Sequence, residues 1–302
     1  MNAPSPNAPT VLDGIRYFTP PPDFLLTGRD GMVNIPWDGR PPIPLLADDF
    51  PASAGQVTPD YDMVGRGIYQ ALRLNPDCAY AEEYAAILKE AYPHIISELG
   101  GQIIMLDAKE VDTPYLDRKI NFLKIMALLD PLNAGVHLEI ARTFSEKGSR
   151  LGTLHQAVDS WYGAEKFLKR SLALDPANQH AAYEYGEALY VLGRYEQAAE
   201  TWHQVLGGLG FSDQKKVESR IASIQTGKLP LVPPLDYLSA IAVAVESRHT
   251  GRTDEAAAII EDVLADPVFA EQFPMSEIYY LLGTCYQEMG MAHEAAEAFK
   301  RS

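Results

Sequence analysis

Apolar positions divide the chain into two textures. From about Asp60 onward they recur at i, i+3, i+4 and i+7, the spacing that lays one stripe along a 3.6-residue helix, and β-branched alternation is absent. Met63–Leu74 reads as one such helix. Residues 79–129 read as three, broken near Pro93 and between Asp107 and Pro114. Leu151, Leu154, Val158, Trp161, Ala164, Leu168 and Leu172 keep a single stripe, which predicts one long helix over Leu151–Leu174. Ser212–Gln225 reads as an extra helix with Val217, Ile221 and Ile224 on its apolar side, ended by Gly227 and Pro230. The helical breaks repeat a phrase: Asn75-Pro76, Asp130-Pro131, Asp175-Pro176 and Asp266-Pro267. The first three follow similar helix endings, Ala71–Leu74, Met126–Leu129 and Ser171–Leu174, so the pattern points to an internal repeat.

Residues 1–59 look different. Twelve of the 22 prolines fall there, and proline lacks the amide donor and disfavours helix in the residue before it. No long helix fits. The segment also carries Tyr17, Phe18, Phe24, Trp37 and Phe50, whereas disordered tails are poor in aromatics. An extended arm that docks its apolar side chains is expected, with a short hairpin in Phe24–Trp37 around Gly28-Arg29-Asp30-Gly31. Trp37, set among prolines, is the expected anchor, buried against the chain's own helices or a partner's.

Two units define the repeat. One runs Tyr185-Gly186, Leu189, Gly193, Tyr195, Ala198, Trp202; the other runs Leu282-Gly283, Tyr286, Gly290, Ala295, Phe299. Both resemble the tetratricopeptide pattern over its 34 residues. Two further units match less fully, one around Ile140, Ala141, Phe144, Gly148, Ala164 and Leu168, the other around Gly251, Ala256, Ile260 and Leu264. Pro131 and Pro176 lie 45 residues apart, eleven beyond the unit, and that excess is almost three helical turns at about 3.6 residues each. The resemblance implies an all-α solenoid of helical hairpins behind a proline-rich N-terminal arm. Its boundaries are 1–59 for the arm and 60–302 for the repeats, degenerate over 60–131 and better formed over 132–206 and 235–302.

The resemblance also implies a groove lined by the first helix of every unit. Counting along those helices assigns Leu138 and Arg142, then Tyr183, Glu187 and Tyr190, then Ile241, Val245 and Arg248, then Tyr280, Thr284 and Gln287 to it. One subtype of the family grips a C-terminal carboxylate with Lys and Asn. Leu138, Tyr183, Ile241 and Tyr280 stand at the Lys-equivalent positions here, and Arg142, Glu187, Val245 and Thr284 at the Asn-equivalent ones. A mixed apolar and aromatic groove of this kind suits an extended segment better than a charged terminus. No further helix follows Phe299, so either the sequence is a truncated fragment or residues 276–302 are expected to meet a second copy, a partner or the N-terminal arm folded back, with Phe299 at the contact and a homodimer or heteromeric contact the expected outcome.

Composition narrows the partners. Lys and Arg total 25 against 41 Asp and Glu, a net charge of −16, which disfavours nucleic acid and anionic membrane. Two cysteines, Cys78 and Cys285, exclude a disulfide framework and fit a reducing compartment. Met1–Thr10 has no basic residue and no apolar run, so no secretory signal is expected, and a cytoplasmic location follows. The seven histidines show no metal-ligand spacing. Val64-Gly65-Arg66-Gly67 lacks the third glycine and preceding strand of a nucleotide fingerprint, and no Gly-x-Ser-x-Gly occurs. Lys215, Lys216, Arg220 and Lys228 form the one basic locale, read as the wet face of a helix or a meeting point for an acidic partner.

These readings predict a non-enzymatic scaffold or adaptor without cofactor or metal, binding a partner segment in its groove. An accessory subunit or dedicated chaperone of an enzyme complex is the alternative. A helical-hairpin enzyme such as a prenyltransferase subunit, or a peptide-sensing regulator, fits less well. The Asn-x-x-x-Trp signature of the former is missing after Pro131 and Pro176.

Overall fold

A computed structural model describes residues 11–28, 34–50, 58–109 and 114–302. The chain divides into two compact units, Met1–Val136 and His137–Ser302. The described strands of the proline-rich segment share a unit with the first helices.

In the first unit the arm folds back on itself. Strand β1 (Ile15–Phe18) pairs antiparallel with β4 (Ile43–Leu46), Ile15 opposite Leu46 and Phe18 opposite Ile43. Nested between them, β2 (Leu25–Thr27) pairs with β3 (Asn34–Pro36), the hairpin expected from the sequence. Its turn residues 29–33 lie outside the described residues. Pro36 and Pro44 sit in two-stranded sheets, where an edge is always free and a missing amide is tolerated.

Helix α1 (Tyr61–Leu74) begins at Asp60, whose side chain accepts from the Met63 amide at 2.8 Å. Strand β4 packs on α1, so closely that a Cβ at Gly67 would lie 1.9 Å from the Pro44 carbonyl oxygen. A Cβ at Gly65 would lie 2.3 Å from the Tyr92 ring. Close packing accounts for this Gly-x-Gly. Helices α2 (Ala81–Ala91), α3 (Ile95–Lys109) and α4 (Pro114–Leu129) follow the three-helix reading.

Trp37 is 2% exposed and its indole N–H donates to the Pro41 carbonyl at 2.8 Å. Phe24 meets it edge-on and Arg40 lies over its ring. The arm is tied to the unit's own helices: the Tyr84 hydroxyl of α2 donates to the Pro42 carbonyl at 2.7 Å, and Arg40 pairs with Glu90 at 3.1 Å.

The second unit is built from hairpins. Its boundary falls in the first turn of α5 (Ala134–Ser149). The long helix expected over Leu151–Leu174 is not continuous. A 3-10 segment, Leu151–Gln156, precedes α6 (Ala157–Leu174). The Thr153 hydroxyl donates to the Lys147 carbonyl at 2.6 Å and to Arg150 at 3.2 Å, drawing the chain tighter than an α-turn. The apolar stripe survives because Leu154 and Trp161 still face the core.

Helices α7 (Gln179–Val191) and α8 (Tyr195–Val205) form the next hairpin, α10 (Pro234–His249) and α11 (Thr253–Leu264) another, and α13 (Ser276–Glu288) and α14 (Ala292–Arg301) the last. The turns use Gly193, Gly251 and Gly290 at φ of 75°, 80° and 77°, the left-handed region where a side chain is strained. Gly186 lies against Trp202, and Gly283 against Phe299; an added Cβ would sit 2.2 and 2.6 Å from those rings. Helix α9 (Phe211–Gln225) follows α8, as expected.

A short helix, α12 (Pro267–Gln272), was not anticipated. Asp266-Pro267 was read only as a helix end. It is also a start, because the Asp266 carboxylate accepts from the Val268 and Phe269 amides and Pro267 takes the first helical position. One core cluster joins Leu138, Ala141, Trp161, Leu168, Leu238, Ile241, Ile260, Phe269, Ile278 and Leu281. A second joins Leu189, Tyr190, Ala198 and Trp202 to Val217 and Ile221 of α9.

Candidate interaction surface

The first helices of the second unit are α5, α7, α10 and α13. Two ion pairs bridge successive members. Arg142 on α5 donates from Nε to Glu184 on α7 at 3.3 Å, and Arg248 on α10 donates from Nη2 to Glu288 on α13 at 2.6 Å. The arginine is in each case a residue assigned to the groove by counting. Thr253 adds a hydroxyl to Glu288 at 3.2 Å. The Arg248 guanidinium holds the Glu288 carboxyl below the usual range. Burial pushes the Glu184 carboxyl up, against the pull of Arg142.

Three assigned residues do not face an open groove. Leu138 and Ile241 belong to the larger core, and Tyr190 to the smaller one. Helical counting places them correctly for a regular array. Here α10 packs on the 3-10 segment and on α6, which draws Ile241 and Leu138 into one core. Tyr190 is closed off by α9, and its hydroxyl bonds to Gln272.

Glu187 and Tyr183 lie under the same helix. Glu187 accepts from Lys216 and from Arg220, both at 2.7 Å. Tyr183 is half-buried, and burial raises its phenol. Lys215, Lys216 and Lys228 are exposed and only Arg220 is buried, so three of the four residues of the basic locale form a wet face.

The accessible part of the assigned set is Arg142 on α5 and residues of α10 and α13. Tyr280 is 59% exposed, Gln287 is exposed, and Thr284 and Val245 are half-buried. Tyr280, Thr284 and Gln287 stand at i, i+4 and i+7, one face of α13. Phe299 is half-buried inside its own hairpin, over Gly283 and 5.6 Å from the Tyr280 ring. The ring at the expected C-terminal contact is thus already packed, and Tyr280 is the more exposed of the two.

Residues 162–207 match a model of the tetratricopeptide repeat. That stretch covers most of α6, all of α7 and α8, and the close approach of Gly186 to Trp202. Over this stretch the chain carries a tetratricopeptide repeat. Tetratricopeptide repeats are protein-interaction modules, so the relevant surfaces are those another chain can reach. No curated protein matches the chain.

Among solved structures, a crystal structure of MamA is 17% identical, covering 69% of this chain and 90% of that one at a TM-score of 0.29. A MamA RS-1 double mutant is 12% identical, with 68% and 92% coverage at 0.32. YrrB, described as a TPR protein with an unusual peptide-binding site, is 14% identical, with 78% and 91% coverage at 0.27. At these scores nothing about their binding carries over to this chain. Among the described residues, no group of three or more His, Cys, Asp or Glu is placed to hold a metal ion, and no helix is long and apolar enough to cross a membrane.

Proposed function

We propose that this chain is a non-enzymatic scaffold that binds an extended partner segment across α10 and α13. The observation that carries the reading is Tyr280, a tyrosine 59% exposed on the same face as Thr284 and Gln287. Tyrosine and arginine dominate interface hot spots, and the Arg248–Glu288 pair fixes the neighbouring helix beside it. Val245 supplies apolar surface. A photoreactive amino acid placed at Tyr280, Thr284 or Gln287 in the native cell is expected to yield discrete adducts with one partner. The same probe at Glu200 on α8, a second helix, serves as the control. Adducts at Glu200 equal to those at Tyr280 would count against this face.

A further inference from the structure

Helix α9 is fastened to the α7–α8 hairpin by one buried cation. Arg220 is 4% exposed. Its guanidinium lies 4.6 Å from the Tyr190 ring centroid, 5.3 Å from Phe273 and 5.9 Å from Trp202, and Nη1 donates to Glu187 at 2.7 Å. Three aromatic faces and a carboxylate thus enclose a planar cation. Cation–π attraction is strongest when desolvated, and arginine suits such a box better than lysine because it stacks and forks. Only Val217 and Ile221 join Arg220 in being buried along α9; most of the helix is in water.

Glycines flank α9 on both sides. Gly207, Gly208 and Gly210 precede it and Gly227 follows it, the last at φ 69°. Gly207, Gly210 and Gly227 have open space around them. Phe211 at the start of α9 is 85% exposed, and Leu231 just beyond it is 83% exposed. The helix is buried only along its middle; Ile224 in its last turn and Leu206, Leu209 and Leu229 on its flanks pack partly buried at the edge of the same core.

We propose that Glu187, Tyr190, Trp202 and Phe273 form a docking site for a basic, arginine-bearing helix of a partner protein, and that α9 occupies the site in cis. The occupant's chemistry follows from what fills the site: Arg220 in the box, Lys216 on the second oxygen of Glu187 and a Val217/Ile221 stripe against Leu189 and Trp202. A chain of net charge −16 favours a basic partner at long range. Partner binding would swing α9 out on its glycines and expose Tyr183 as well. The site is separate from the α10–α13 face and does not depend on it.

Two measurements test this on the full chain. In the wild-type protein, the α9 amides should exchange with solvent at least roughly 100-fold faster than those of α7 and α8, because α9 opens below the global unfolding limit. Then a labelled synthetic peptide of residues 210–227 is titrated in fluorescence anisotropy against the wild-type chain and against an R220Q/K216Q variant. The variant, whose own α9 is loosened, should bind the peptide about tenfold more tightly than wild type, and the same peptide carrying R220Q should bind about tenfold more weakly. Equal binding of the two peptides by a folded variant overturns the proposal. Exchange of α9 in step with α7 and α8 overturns it too, and that result decides alone if the double variant loses its helix content.

Discussion

Removing the Asp266 side chain should cost the second unit about 4 kcal/mol. The residue is buried, and four donors converge on it. Oδ1 accepts from the Val268 and Phe269 amides at 2.9 and 3.2 Å, the cap of α12. Oδ2 accepts from the Leu231 amide and the Tyr237 hydroxyl, both at 2.7 Å. Losing a helix N-cap costs about 1 kcal/mol. The Tyr237 hydroxyl would be left buried without an acceptor, roughly 2 kcal/mol. Leu231 is exposed, so its amide can recover water and adds about 1 kcal/mol. For a domain of this size, about 4 kcal/mol lowers Tm by roughly 8–16 °C in a circular dichroism melt. Asp266→Asn should cost about half as much, because its amide keeps one oxygen for the cap but turns a donor toward Leu231 and Tyr237.

The two variants should differ in their pH response. Burial opposes the charge on Asp266, but its four hydrogen bonds outweigh burial and hold the carboxyl below the usual range. A depressed carboxyl stabilises fully above its unfolded pKa of about 3.9 and loses that contribution as pH falls through the folded value. The gap in Tm between wild type and Asp266→Asn should therefore be constant near neutrality and close below about pH 4. A shift under about 3 °C for Asp266→Ala at pH 7, or a gap that widens on acidification, would refute the reasoning.

Tyr190→Ala and Tyr280→Ala should part company in urea melts. The first empties a buried site and should cost about 3–5 kcal/mol, while the second should stay within about 0.5 kcal/mol. Gly186→Ala pushes a Cβ into the Trp202 ring and should cost about 1–3 kcal/mol; Gly283→Ala should cost less, since Phe299 is half-exposed near the chain end and can give, and equal losses in Tm would contradict this. In a Trp161→Phe/Trp202→Phe variant, the emission of Trp37 should be blue-shifted in the free chain, and an exposed-indole spectrum would contradict its burial.

What the sequence revealed follows the range of the forces involved. Helices α1 to α4 and α9 were legible because stripes and proline breaks are local signals. The Phe24–Trp37 hairpin was legible for the same reason, but β1–β4 pairing joins segments far apart in sequence and left no local mark. The 3-10 segment before α6 was hidden, because a stripe records which residues face inward and not how tightly the turn is wound. Arg142, Arg248 and Tyr280, assigned by counting along a regular array, keep side chains that solvent reaches. Leu138, Tyr190 and Ile241 are buried instead, since α9 and the packing of α10 are departures from regularity that only the three-dimensional contacts reveal. The Asp266 cap had a signal, Asp followed by Pro at the first helical position, that was read in one direction only.

The placement of α10 also bears on how such a chain can change over generations. In a plain solenoid each repeat touches only the next, so gene duplication or deletion of a unit leaves the remaining stack intact. Here α10 packs on α6 and the 3-10 segment, the hairpin before α7–α8, so spatial neighbours are not sequence neighbours. Excising α7–α8, or inserting another copy after it, would move the ends of a connection fitted to this detour. The array is closed to growth by repeat copying in its middle, and change there must come residue by residue.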